Sequence, residues 1–171
     1  MDVIGEGTTS LIKQSYHAGY VEKRYKRSNN WRLAVTEKAV HARIAYLLER
    51  VKSPLRTPKL FDPYDAYYIM EEVSTDRPLW HEEVWEGLDK ELQETLLAVL
   101  RSAFKGLFAE GYNMRDVEVY LQPDNTLVVL DFGQVTSSSA SSASSASHEF
   151  RLQSAAVVPP AVAESFLTYK N

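Results

Sequence analysis

Gly111-Tyr112-Asn113-Met114-Arg115-Asp116 and, further along, Leu130-Asp131-Phe132-Gly133 bracket the stretch whose reading decides the fold. Between the two aspartates Val117, Val119 and Leu121 alternate with Glu118 and Tyr120, Gln122-Pro123-Asp124-Asn125 carries turn chemistry, and Leu127 to Leu130 is an unbroken apolar run. The pattern predicts strand, turn, strand, with a carboxylate at each outer end. An antiparallel hairpin brings its open ends side by side, so Asp116 and Asp131 are expected at one edge of a cleft. Two carboxylates there can divide the work of phosphoryl transfer: one holds Mg²⁺ against a nucleotide phosphate, and the other accepts the proton of the attacking hydroxyl.

Composition narrows the classes. A chain of 171 residues with 44% apolar and 11% aromatic residues can build a real core as one domain or two small lobes. The net charge of -4, with no basic run longer than Lys23-Arg24-Tyr25-Lys26-Arg27, argues against nucleic acid as a partner. The absence of cysteine excludes disulfides, thiolate metal sites and cysteine nucleophiles. No apolar run is long enough to span a bilayer and no signal-peptide pattern is present, so the expectation is a cytoplasmic protein without a membrane partner. His17, His41, His81 and His148 are scattered without metal-ligand spacing, which predicts surface or packing roles.

Toward the N-terminus, Ile4-Gly5-Glu6-Gly7-Thr8-Thr9-Ser10 joins glycines and hydroxyls to a strand-like segment. Such a turn either closes a plain hairpin or cradles phosphate oxygens with its N–H groups. In Tyr20 to Lys26, alternation puts Val21, Lys23 and Tyr25 on one face. The Lys23 amine either snorkels to water or holds a phosphate, with Lys26 as the alternative if the register differs. Ser28-Asn29-Asn30 offers an N-cap for a helix from Trp31 to Val51, whose apolar stripe is Leu33, Val40, Ile44, Leu47, Leu48 and Val51. Glu37 falls inside that stripe. A carboxylate there is either solvated at the edge or buried with a cationic partner, and Lys23 on the facing strand is the economical one.

Lys59 to Phe61 and Ala66 to Met70 read as two strands, leading into Met70-Glu71-Glu72-Val73. Ser74 to Asp89 reads as an acidic, aromatic linker with a short helix. An amphipathic helix follows from Lys90 to Glu110, with Leu92, Leu96, Leu100, Ala103, Phe104 and Leu107 as its stripe and Gly111 as its stop.

From Ile4 to Gly133 this order of glycine turn, strand lysine, helix glutamate, extended exit, long helix, Arg-Asp and Asp-Phe-Gly resembles the protein kinase family. The resemblance implies an α+β, bilobal fold: an antiparallel five-stranded N-lobe with one helix over residues 1–73, and a truncated C-lobe over 74–135. It implies ATP and Mg²⁺ as ligands, and phosphotransfer to a protein substrate. Gly5, Gly7, Thr8, Thr9 and Ser10 would cover the phosphates, Lys23 would anchor them with Glu37 orienting it, and Met70, Glu71 and Val73 would meet the adenine. Asp116 would be the catalytic base and Asp131 the metal ligand.

The departures are specific. Ser10 stands where the third glycine of the turn would be, Met114 replaces the histidine before Arg-Asp, and the asparagine expected five residues after Asp116 is Leu121. If the loop is shortened, Glu118 takes the asparagine's place as a second metal ligand. The chain beyond Gly133 lacks the helices of a peptide-substrate platform, which leaves two alternatives open: a pseudokinase-like nucleotide-binding or interaction module, with a protein substrate or a partner chain that completes the short lobe as its protein partner, and a small-molecule kinase. Residues 136–148 are Ser/Ala low complexity and read as a tether, and 149–171 as a tail with one apolar cluster.

Overall fold

The computed structural model describes residues 2–27, 31–64 and 66–137. The expected N-cap at Ser28-Asn29-Asn30, the rest of the tether and the C-terminal tail lie outside the described residues. What is described is an α+β fold with strands β1 (Val3–Glu6), β2 (Ser10–Gln14), β3 (Tyr20–Tyr25), β4 (Leu55–Arg56), β5 (Ile69–Glu71), β6 (Tyr112–Asn113), β7 (Glu118–Leu121), β8 (Leu127–Leu130) and β9 (Thr136–Ser137). The helices are α1 (Trp31–Arg50), α2 (Glu82–Glu86) and α3 (Lys90–Ala109).

An antiparallel sheet runs β1-β2-β3-β5. Gly19, at φ 79°, makes the β2–β3 turn in a conformation that favours glycine. The expected fifth strand at Lys59 to Phe61 shrinks to a bridge between Leu60 and Met70. Its cause is local: Pro58 removes a donor, and Lys59 N–H is diverted to the Glu71 side chain at 3.0 Å instead of continuing a ladder.

The second sheet is β4-β8-β7, in which the two-residue β4 runs parallel to β8. The β7–β8 hairpin forms in the expected register, Glu118 opposite Leu130 and Leu121 opposite Leu127. A third pair, β6 with β9, ties Tyr112 to Ser137 and Asn113 to Thr136, so strand pairing reaches two residues into the stretch read as a tether.

The helices close the core. α3 begins at Asp89, whose side chain accepts from Leu92 N–H at 2.8 Å, and ends where Gly111 takes φ 90°. Its stripe of Leu96, Leu100, Ala103, Phe104 and Leu107 is buried as read, with Leu92 at the margin. On α1 the face differs from the reading: Glu37, Lys38, His41, Ile44, Leu47 and Leu48 are buried, while Leu33 is 51% exposed and Val51, beyond the last helical residue, 63%. Polar bonds made inward by Glu37 and His41 fix the helix's rotation, and the first turn stays largely exposed.

Arg77 to Leu79 pairs with the free edge of β7, through Leu79 N–H to the Val119 carbonyl and Leu121 N–H to the Arg77 carbonyl, both 2.9 Å. Gln122, buried at the end of β7, receives Ser74 N–H on Oε1 at 3.2 Å and donates Nε2–H to the Ser74 carbonyl at 3.0 Å. This amide clamps the segment leaving β5 to the hairpin. Gln122→Leu strands both backbone groups, and the expected loss is about 1–3 kcal/mol of unfolding free energy. A urea titration measures it; an unchanged midpoint would mean that water replaces the clamp. Among the described residues no helix is long and apolar enough to cross a membrane.

Candidate functional site

β3 turns Val21, Lys23 and Tyr25 toward α1, and the helical period turns Glu37 toward β3. The two meet. Lys23 Nζ lies 2.7 Å from Glu37 Oε1 and 3.1 Å from Asp131 Oδ1, the latter carried in from immediately after β8. The lysine and glutamate side chains are 9% and 2% exposed, whereas that of Asp131 is 51% exposed. Burial alone would lower the Lys23 pKa, but the charges of Glu37 and then Asp131 outweigh it and hold it above the ordinary lysine value. The amine is thus a fixed cation whose open side faces solvent through Asp131. Lys26, the alternative lysine, pairs instead with Glu6 at 2.7 Å.

Glu37 is held by more than the lysine. Its Oε1 also accepts Phe132 N–H at 3.2 Å, and its Oε2 accepts the Tyr25 hydroxyl. Burial first, and then the bond to Glu37, pushes the Tyr25 phenol well above its ordinary pKa, so it remains a donor. The Phe132 ring packs on His41 with centroids 4.8 Å apart. His41, fully buried, lies 2.9 Å from the Tyr68 hydroxyl through Nδ1 and 2.8 Å from the Pro58 carbonyl through Nε2. A carbonyl can only accept, so Nε2 carries the proton and Nδ1 accepts from Tyr68.

Asp116 is exposed and sits two residues before β7, at the same open end of the hairpin as Asp131. Both aspartates adopt positive φ, 53° and 62°, a region open chiefly to Asn, Asp and Gly. Among the described residues no hydrogen bond or ion pair joins Asp116 to Lys23, Glu37 or Asp131. β7 begins at Glu118, and Leu121, at the asparagine's spacing, is wholly buried in the core and cannot bind a metal. Glu118 Oε2 accepts the Tyr120 hydroxyl at 2.6 Å, and Tyr120 also feels the charge of Asp131. In the β7–β8 register Glu118 lies opposite Leu130, the residue before Asp131.

No group of three His, Cys, Asp or Glu side chains that could hold a metal by itself occurs among the described residues. The oxygen chemistry nevertheless fits Mg²⁺, which keeps several waters and needs only one or two carboxylates beside substrate phosphates. Asp131, half open to solvent, offers one such carboxylate, whereas Glu118, expected as the second, accepts the Tyr120 hydroxyl on Oε2.

The turn between β1 and β2 is closed by Gly7 N–H to the Ser10 carbonyl at 2.9 Å, with Thr8 and Thr9 exposed and Ser10 buried opposite Tyr25. Gly5 and Gly7 have no positive φ, and a Cβ on either would meet nothing nearer than 3.6 Å. Among the described residues neither packing nor a positive φ demands glycine there. Met70 lies half-buried between Val21 and Leu60. The N–H groups of Glu71 and Glu72 bond the carbonyls of Lys59 and Gly19, both at 2.8 Å, and the Glu71 side chain grips Arg56 at 2.8 and 3.1 Å. The Val73 N–H has no acceptor among the described residues.

Sequence reasoning missed Tyr25, His41, Tyr68 and Gln122. A signal existed for two of them: Tyr25 follows Lys23 on the same strand face, and His41 follows Glu37 by one helical turn. No protein-family model matches the chain, and no curated protein is similar to it at a significant level.

Proposed function

We propose that the chain is an ATP- and Mg²⁺-dependent phosphotransferase of the protein kinase type, with residues 1–73 as its N-lobe and 74–135 as part of a C-lobe. The observation that carries this reading is Lys23, shared between Glu37 and Asp131 across 14 and 108 residues of sequence. A buried cation aimed at a half-exposed carboxylate suits a phosphate with its metal, and a purely structural ion pair would not need that open acid. Gly5 and Gly7, unexplained by packing, give a triphosphate close access to the backbone. Val73 N–H offers a donor to an adenine ring beside Met70 and Glu71.

In this reading Lys23 binds phosphate oxygens, Glu37 orients it, and Asp131 and Glu118 would hold Mg²⁺. When bound, the ion neutralises charge on the phosphates. Asp116, solvent-facing at the same hairpin end, accepts the proton of the attacking hydroxyl. That hydroxyl oxygen forms the new bond to the γ-phosphorus as the β–γ bridge breaks, and ADP leaves with the electron pair.

A second reading, a pseudokinase-like nucleotide-binding or interaction module, is favoured by one observation: a single residue, Val117, separates Asp116 from β7. A titration of thermal stability with Mg-ATP, followed by autophosphorylation and phosphate-release assays, separates the two. A shift with turnover supports the phosphotransferase, a shift without turnover the nucleotide-binding module, and no shift removes the phosphotransferase and favours a degenerate interaction scaffold. Asp131→Ala is expected to lose the shift and any turnover; a variant that keeps both would overturn the assignment.

A further inference from the structure

We propose that Tyr25 is a positioning residue of this site: its hydroxyl fixes the Glu37 carboxylate and, through it, the direction of the Lys23 amine. The consequence for nucleotide binding rests on the function proposed above, while the geometric coupling can be tested without it. Each oxygen of Glu37 has its own donors. Oε1 serves Lys23 and Phe132 N–H, and Oε2 serves Tyr25. A carboxylate held at one oxygen only can rotate about its last torsion, and a donor at the other removes that freedom.

The placement of Tyr25 follows from the strand. Two residues after Lys23, it shares the lysine's face, and Lys23 Nζ lies 5.8 Å over its ring. In register it pairs with Ser10, which puts it at the foot of the glycine turn. One residue therefore meets three parts of the site: the lysine with its ring, the helix glutamate with its hydroxyl, and the end of the turn through its backbone pairing with Ser10. Lys23 is closer to Glu37 than to Asp131, 2.7 against 3.1 Å. If Oε2 lost its donor, the carboxylate would swing to give Lys23 both oxygens and draw the amine from Asp131, where the phosphate is to be met.

Tyr25→Phe keeps the ring and removes only the O–H. In the full chain, calorimetric titration with Mg-ATP is expected to show about tenfold weaker binding for this variant, the size of one lost hydrogen bond to a charged group. Combined with Glu37→Ala, it should add nothing to the loss caused by Glu37→Ala alone, because its acceptor is gone. Should Glu37→Ala not fold, Glu37→Gln serves, and the effect of Tyr25→Phe should shrink in that background. Additive losses, or wild-type affinity in Tyr25→Phe, would overturn the proposal. If the wild-type chain binds no Mg-ATP, the proposed function falls on its own account. The same cycle read by thermal unfolding then decides: coupled losses at positions 25 and 37 retain the positioning role, and independent losses end it.

Discussion

Lys23→Met is expected to abolish Mg-ATP binding and to remove roughly 3–5 kcal/mol of folding stability, the cost of stranding one member of a buried ion pair. Glu37 is 3% exposed, and without the amine its carboxylate keeps only Phe132 N–H and the Tyr25 hydroxyl as donors. Two hydrogen bonds do not replace a full positive charge in a site this dry. The double variant Lys23→Met/Glu37→Gln separates the effects. Glutamine can accept Phe132 N–H on its amide oxygen and donate its amide N–H to the Tyr25 hydroxyl oxygen, and with neither charge present most of the lost stability should return. Nucleotide binding should not, because the phosphates have lost their cation. Urea unfolding and Mg-ATP calorimetry on the three proteins make the test. Stability unchanged in Lys23→Met would mean that Glu37 reaches water and the pair is not buried; nucleotide affinity restored in the double variant would show that Lys23 takes no part in binding.

The pair was legible because two local periods intersect: alternation puts Lys23 between Val21 and Tyr25, and the helical stripe encloses Glu37. Each asks for a partner, and each is the other's nearest candidate. The hairpin was legible for a similar reason, since the alternation of Val117 to Leu121 and a turn before Leu127 fix one register. What depends on distant partners was not. β4 is two residues long and pairs in parallel with β8 across 72 positions of sequence, Leu55 with Leu127, and no local pattern encodes that. Gln122 looks like a turn residue until Ser74, 48 residues away, arrives to be clamped. Tyr25 reads as an ordinary apolar-face aromatic because a phenol's ring dominates its pattern and its hydroxyl acts only in three dimensions. Leu33 and Val51 misled for the opposite reason: their spacing is helical, but Leu33 stays exposed in the first turn and the helix ends before Val51.

The chain should lose stability as the pH falls from 7.5 to 5, by about 2 kcal/mol, because His41 is buried neutral. Burial lowers its pKa from 6.5 to about 4, the positive charge of Lys23 acts the same way, and the bond to the Pro58 carbonyl only partly opposes them. The sign follows from proton counts. Between those two values an unfolded chain binds a proton at this histidine and the native chain does not, so acid favours the unfolded form, and above pH 6.5 the dependence levels off. Protonation inside the fold would also turn Nδ1 from acceptor to donor against the Tyr68 hydroxyl, at 2.9 Å, and load a charge onto the ring that supports Phe132 at 4.8 Å. Unfolded Asp and Glu side chains titrate mostly below this window, which isolates the histidine contribution. His41→Asn should be less stable at pH 7.5, having at best one of the two bonds, yet nearly flat from 7.5 to 5. Urea midpoints at four pH values for both proteins give the two slopes. An undiminished slope in His41→Asn would take the titration away from His41 and would mean that His41 does not hold its place between Tyr68, Pro58 and Phe132.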